Sequence, residues 1–380
     1  MFDPTPDEQG VQRPTHVEIR LHHIIANYNS IKSHVGQAKV MAILKANAYG
    51  HGVIEVAQTL ESIEADYFGV AYVEEGIALR EAKIQTPILV LGGIIGSQIP
   101  LFLENNLDIT ASSVDKLHAI EAVASTLGKR ARVQLKIDTG MSRIGVRHDS
   151  ADGLFEACLL CKHIEVVGVF SHFATADDPD DTFTRLQLER FCDVLGWFER
   201  NGLPTPTRHI ANSAGLLRFP DSHLDMVRPG ISLYGVYPSE EIPKTLPLLP
   251  ALSWRSRVVY FKVVHPHQPV SYGATWAPDQ LTRVVTLPLG YGDGYMRANS
   301  NRASVLIRGQ RYPIVGRVCM DQLMVDIGWN EAYNGDEVVI LGTQGDERIT
   351  IESLAKWSGT IPYEVLTAIN ARVPRVYFRS

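Results

Sequence analysis

Residues 40–62 read VMAILKANAYGHGVIEVAQTLES. A short apolar run stops at Lys45 and crosses a loop bearing two glycines. It then gives way to Val53, Val56, Ala57 and Leu60 at helical spacing. That is strand, loop and helix, one βα unit. A single unit fixes no fold, but repetition does. Runs of the same kind recur at Tyr67–Ala71, Ile88–Leu91, Asp108–Ser112, Val133–Ile137, Val166–Phe170, Arg208–Ala211 and Met226–Leu233. Most are separated by helical patterns such as EEGIALREAK (74–83) and SSVDKLHAIEAVASTLG (112–128). With Val40–Leu44 they make about eight strands alternating with helices, the pattern of a parallel sheet built from βαβ units. So many units in so short a stretch suit a closed, TIM-like (β/α)8 barrel. An open doubly wound sheet is the alternative.

Upstream, residues 22–36 carry Ile24, Tyr28, Ile31 and Val35 at helical spacing, with Gly36 as the stop. Downstream, the proline-rich PSEEIPKTLPLLP (238–250) reads as a linker. Beyond it, SWRSRVVYFKVV, TRVVTLPL, ASVLIRGQRYPIVG, QLMVDI and DEVVILG alternate at period two between glycine turns, which predicts a smaller, mainly antiparallel β domain. Residues 350–371 return to helical spacing. The expected division is a frayed tail over 1–14, a barrel over 15–245 and the β domain over 246–380.

Composition narrows the function classes. Hydrophobic residues make up 45% and charged residues 21%, a soluble globular balance. A net charge of −6 gives no electrostatic footing on nucleic acid or an anionic membrane. The longest apolar stretch, around PILVLGGIIG, is too short to span a bilayer. The first fourteen residues resemble neither a signal nor a transit peptide. Four cysteines in 380 residues cannot frame a disulfide scaffold, so the expected location is the cytoplasm. Cys158 and Cys161 form a single CxxC in an amphipathic helical context, which reads as structural thiols. His265-Pro-His267 reads as a solvated loop, and no metal site is expected.

Polar residues gather just past the strand ends: Lys45, Arg143, His172, Asn212, Ser213 and Arg228. Barrel active sites form at that rim. A lysine leaving an apolar strand can be partly desolvated, which frees its amine for Schiff-base chemistry. Taken alone, Lys45 reads first as an exposed lysine at a strand end.

The longer segment AILKANAYGHG (42–52) resembles the lysine motif of the alanine racemases, which use pyridoxal phosphate (PLP). Further matching segments follow in order: KIDTGMSRIGV (136–146), SHFATAD (171–177), ANSAG (211–215), VRPGISLYG (227–235), SYGATW (271–276), GYGDGY (290–295), VGRVCMDQLMVDI (315–327) and TIPYEV (360–365). The family fold is a PLP-binding barrel plus a β domain.

The resemblance implies roles for particular residues. Lys45 would carry PLP and, once released by substrate, act as acid/base on one face of the α-carbon. Racemisation needs a second acid/base on the other face, which Tyr272 of the partner subunit would supply. His172 and Arg228 would link that tyrosine to the cofactor, with Arg228 at the pyridine nitrogen. Tyr49, Asn212, Ser213, Gly230, Ile231 and Tyr363 would hold the phosphate, in place of a Walker or GxGxxG loop, neither of which occurs. Arg143, by its side chain, and Met320, by its backbone N–H, would receive the substrate carboxylate, with Asp321 beside them and Tyr291 close by. Lys136 in several relatives carries CO2 as a carbamate. Asp293, in GYGDGY, reads as a plain glycine turn or as part of the entrance loop. The implied activity is interconversion of L- and D-alanine in a homodimer with shared sites, feeding the bacterial cell wall. A racemase of broader or serine specificity is the alternative within the class, and a non-enzymatic PLP carrier the alternative outside it. A metal-dependent barrel hydrolase fails for want of paired His/Asp ligands after a strand.

Overall fold

The computed structural model describes residues 10–380. The chain forms two compact units. One comprises Ile24–Ala48 and Val53–Leu249; the other comprises the residues up to His23, Tyr49–Gly52 and Pro250–Ser380.

The first unit is the (β/α)8 barrel. Its strands are β1 (Lys39–Ile43), β2 (Tyr67–Val70), β3 (Ile88–Val90), β4 (Asp108–Ala111), β5 (Ala131–Asp138), β6 (Ile164–Phe170), β7 (Thr207–His209) and β8 (Met226–Val227). Neighbours pair in parallel from β1 through β7, and β8 pairs with β1. The Asp225 N–H donates to Arg208 O and the Arg228 N–H to Ala211 O, which bridges β7 and β8 and closes the ring. The run expected as a strand over Met226–Leu233 is shorter than expected. Pro229 removes a backbone donor, and Ile231–Tyr234 turns into a 3-10 helix. The helix expected over 22–36 spans Leu21–Val35, and Gly36 takes a positive φ of 63° just past its end.

Apolar side chains from the strands and surrounding helices make most of this core, Val40, Phe68, Leu89, Ile109 and Leu135 among them. A polar column also runs through the barrel. Arg132 Nε donates to Asp108 at 2.8 Å, and Tyr67 OH donates to the same carboxylate. The Gln134 amide donates to Asp108 and to Tyr67 OH, both at 3.1 Å, and its oxygen lies 2.7 Å from His209 Nε2.

The second unit is a β domain. Its sheet runs Tyr260–Val264, Thr282–Leu287, Leu323–Gly328, Gln310–Val315, Ser304–Ile307, Glu337–Gln344, Leu252–Arg257, His16–Arg20, Arg375–Phe378. All these pairs are antiparallel except the last. The strand His16–Arg20 departs from the expected start of the barrel at residue 15. Its neighbours lie more than 200 residues downstream, so nothing local announces it. Arg13 does not fray either: it donates to Asp293 at 2.6 Å and to Arg372 O at 2.9 Å. Residues 1–9 of the expected tail lie outside the described residues. The helical pattern over 350–371 resolves into Ile351–Ser358 and Pro362–Ala368, divided at Gly359 (φ 72°). Among the described residues no helix is long and apolar enough to cross a membrane.

Candidate active site

Lys45 stands two residues past β1, where the backbone does something unusual. Ala46, Asn47, Ala48 and Tyr49 all have φ between 53° and 55°, a left-handed turn without a glycine. Each non-glycine residue held this way costs about 1–2 kcal/mol, so surrounding contacts must over-determine the turn. Ala48 N–H donates to Leu44 O at 2.8 Å, and Asn47 Oδ1 accepts from the Val53 N–H at 2.9 Å. Burial first, then the Arg143 guanidinium, push the Lys45 amine below its ordinary pKa, while Glu75 opposes them. An amine so placed is more readily deprotonated, and so nucleophilic, near neutral pH.

Arg228, just past β8, is 3% exposed, and among the described residues no carboxylate pairs with it. Its guanidinium donates to Ser171 O at 2.7 Å and Ile210 O at 3.0 Å. It also donates to His209 Nδ1 at 2.9 Å and His172 Nδ1 at 3.0 Å. Burial and then Arg143 push Arg228 down to about 9, which leaves it a cation at neutral pH. Because guanidinium only donates, both imidazoles accept at Nδ1 and carry their proton on Nε2. Burial, then Arg228, hold both histidines well below the ordinary value, so they are neutral. The Nε2–H of His209 is thereby aimed at Gln134 Oε1, and Phe170 stacks on His209 with ring centroids 5.0 Å apart.

Lys136 lies on β5 itself, 4% exposed, with Nζ 3.3 Å from Ile137 O and 4.9 Å from the Phe170 ring centroid. Burial, then Arg228 and Arg143, push its amine well down. Lys45, Lys136, Arg143 and Arg228 therefore form a basic cluster in which each positive charge disfavours the others, a setting suited to an anionic guest. Beside them, Ser213 Oγ accepts from the Gly230 N–H at 2.8 Å, the Ser232 N–H at 3.3 Å and Ser232 Oγ at 3.0 Å. With its oxygen so occupied, the Ser213 hydroxyl proton is available to a further acceptor. Asn212 caps the helix Ser213–Arg218 through the Gly215 N–H, so its side-chain oxygen is already engaged.

The β unit brings three loops of its own together. Tyr291 N–H donates to Cys319 O at 3.0 Å and Gly292 N–H to Met320 O at 2.8 Å. Ser271 Oγ donates to Arg317 O at 2.6 Å. Gly290 permits this closeness, since a Cβ there would sit 2.3 Å from the carbonyl oxygens of Cys319 and Met320. Three large side chains project from these loops into solvent: Tyr272, 70% exposed, Met320, 54%, and Tyr291, 42%. Asp293 is more than a turn residue. It is fully buried and receives Arg13, Arg372 and the Gly290 N–H. Asp321 is committed to Arg372 at 2.7 Å. In the same unit the rings of Tyr49 and Tyr363 lie 6.1 Å apart.

His209, Gln134 and Asp293 escaped the sequence reading as organisers of these groups. One signal was available. Gln134 and Lys136 alternate with apolar residues in VQLKI (133–137), which places two polar side chains on one face of a strand otherwise read as core. The four thiols are free, and burial pushes Cys158 up to about 12, away from nucleophilic use. Among the described residues no group of three or more His, Cys, Asp or Glu could hold a metal.

Comparison with known proteins decides the family. Residues 19–238 match the model of the alanine racemase N-terminal domain, and residues 251–377 that of the C-terminal domain. The chain belongs to the alanine racemase family. All the quoted motifs fall within those two matches. The chain is 46% identical to the alanine racemase of Carboxydothermus hydrogenoformans, over 96% of this chain and 100% of the relative. It is 45% identical to alanine racemase 2 of Caldanaerobacter subterraneus, over 96% and 95%. Among solved structures, the alanine racemase of Bacillus anthracis with bound L-Ala-P superposes with a TM-score of 0.91 at 36% identity, covering 97% of this chain and 96% of that one. That of Streptomyces lavendulae gives 0.93 at 37%, covering 97% and 98%. As a member of the alanine racemase family, the chain is an amino-acid racemase.

Proposed function

We propose that this chain racemises alanine, with PLP attached to Lys45 and with Lys45 and Tyr272 as the two proton-transfer groups. The observation that carries this reading is the buried, carboxylate-free Arg228 tied to two neutral histidines beside Lys45. The residues present fit the cofactor. Ser213 and the Ile231 backbone offer hydroxyl and main-chain donors for a phosphate, beside Asn212 and Gly230, whose N–H is bonded to Ser213 Oγ; the family resemblance adds Tyr49 and Tyr363. The surrounding cations favour a dianion. When bound, PLP acidifies the α-C–H of an amino acid joined to it.

The chain's own residues do the rest. The Lys45 amine, its pKa lowered chiefly by burial, takes or returns the α-proton on one face. Tyr272 of the partner subunit does so on the other. The His172 Nε2–H, fixed in that tautomer by Arg228, is the donor offered to the phenol oxygen of that tyrosine. Arg228, whose guanidinium keeps its proton, would offer the ring nitrogen a donor and leave it unprotonated, which would weaken the electron sink and disfavour transamination. Arg143 and the Met320 backbone receive the substrate carboxylate, with Asp321 fixing the Met320 loop through Arg372 and Tyr291 beside it. A carbamate on Lys136 would hold Arg143 in place, and a buried amine whose pKa is pushed well down, chiefly by burial, is suited to forming one. Tyr49 and Tyr363 limit the substrate side chain to about a methyl group.

The exposed cluster of Tyr272, Tyr291 and Met320 supports a homodimer whose sites are shared between chains, the working place being the cytoplasm. A racemisation assay over a panel of L-amino acids tests the reading. Fastest turnover of alanine is the expected result; preference for serine, or no turnover with PLP bound, would overturn it.

A further inference from the structure

Glu75, at the third position of the helix Val73–Glu81, accepts three backbone N–H bonds with one carboxylate. Its Oε2 takes those of Ala71 at 2.7 Å and Tyr72 at 3.2 Å, the ordinary work of a residue capping its own helix. Its Oε1 takes the Ala46 N–H at 2.7 Å, from the loop after the neighbouring strand. That third bond serves no helix. It grips the residue following Lys45, at the first of four successive left-handed non-glycine positions. Such a turn persists only where its surroundings hold it. This bond reaches the residue next to the lysine and is charge-assisted, hence of the stronger kind.

We propose that Glu75 is a positioning residue for Lys45: its carboxylate locks the left-handed turn from which the lysine extends and so fixes where the amine meets the cofactor. The inference rests on the reading of Lys45 as the PLP lysine. The electrostatics agree, since Glu75 acts on Lys45 against the neighbouring arginines. Both carboxylate oxygens accept from N–H groups, so a glutamine cannot replace it: its NH2 would face a donor on one side or the other.

The test compares Glu75→Gln with Ser113→Ala, which removes an ordinary cap from the helix Val114–Thr126 through the Lys116 N–H. With the PLP-loaded full chain, Glu75→Gln should release PLP and lose kcat by about tenfold each, the size of one charge-assisted hydrogen bond. KM for alanine should barely move, and the pH midpoint of the bound cofactor's visible absorption should fall. Ser113→Ala should lower Tm without any of these effects. Adding Ala46→Gly, which adopts the left-handed turn without steric cost, should recover much of the loss. If Glu75→Gln does not fold, Glu75→Asp, with the carboxylate drawn back by one methylene, should give the same pattern. Unchanged PLP release and pH midpoint in a folded Glu75 variant would overturn the proposal and leave Glu75 as a helix cap. Borohydride labelling of the unmutated chain separates the two readings. A label away from Lys45 overturns both, whereas a label on Lys45 with no variant effect overturns only the role of Glu75.

Discussion

The Nη2 of Arg228 lies 3.0 Å from Nδ1 of His172, and this one contact sets the proton on the far side of the ring. Through His209 and Gln134 the same guanidinium is joined to Asp108. The side chain proposed to face the cofactor is thus oriented from within the barrel.

Replacing His209 with Ala removes the partner of both an Arg228 N–H and the Gln134 oxygen. Leaving two buried polar groups unpaired should cost about 3 kcal/mol of stability, read from urea unfolding. Racemase kcat should fall with it, because Arg228 loses one of its anchors.

The two neutral histidines also set a pH dependence. Both have folded pKa values well below the unfolded value of 6.5. Below pH 6.5 the unfolded chain therefore binds more protons than the native one, and stability falls as pH falls. Each histidine contributes at most about 1.4 kcal/mol per pH unit. Unfolding midpoints at neutral pH and two units lower should show this slope, and His209→Gln should reduce it.

Much of this arrangement could be read from the chain. The gathering of Lys45, His172 and Arg228 was legible because each sits in a long motif at or near the end of an apolar run. The strand His16–Arg20 was not, since HVEIR is five residues whose partners, Leu252–Arg257 and Arg375–Phe378, are remote in sequence. Met226–Leu233 was read too long because its apolar pattern runs on past Pro229-Gly230. The bond from Ala46 to Glu75 and that from His209 to Gln134 join residues 29 and 75 positions apart, and no local pattern encodes such a contact. Nothing in ANAY suggests a left-handed turn, since no glycine marks it.

Lys136 offers a buried amine whose pKa is pushed well down by burial and then by Arg228 and Arg143. Labelled bicarbonate should give a carbamate NMR signal that disappears in Lys136→Ala, with a higher KM for alanine as Arg143 loosens. A signal that survives in the variant would exclude Lys136 as its source.

A shared site predicts complementation. Lys45→Ala and Tyr272→Phe should each be inactive, and refolding them together should restore about a quarter of wild-type activity, because in a two-fold dimer half the assemblies are mixed and one of their two sites carries neither lesion. No recovery, with subunit exchange confirmed by differently tagged chains, would put Tyr272 in its own chain's site.

The central claim is that two different side chains move the α-proton on opposite faces. The most direct measurement is deuterium incorporation from D2O into L- and D-alanine by Tyr272→Phe, followed by mass spectrometry alongside racemisation. With Lys45 intact and its partner gone, exchange should persist with one enantiomer while racemisation disappears. Equal loss of exchange from both enantiomers, or racemisation that continues without the phenol, would contradict the account.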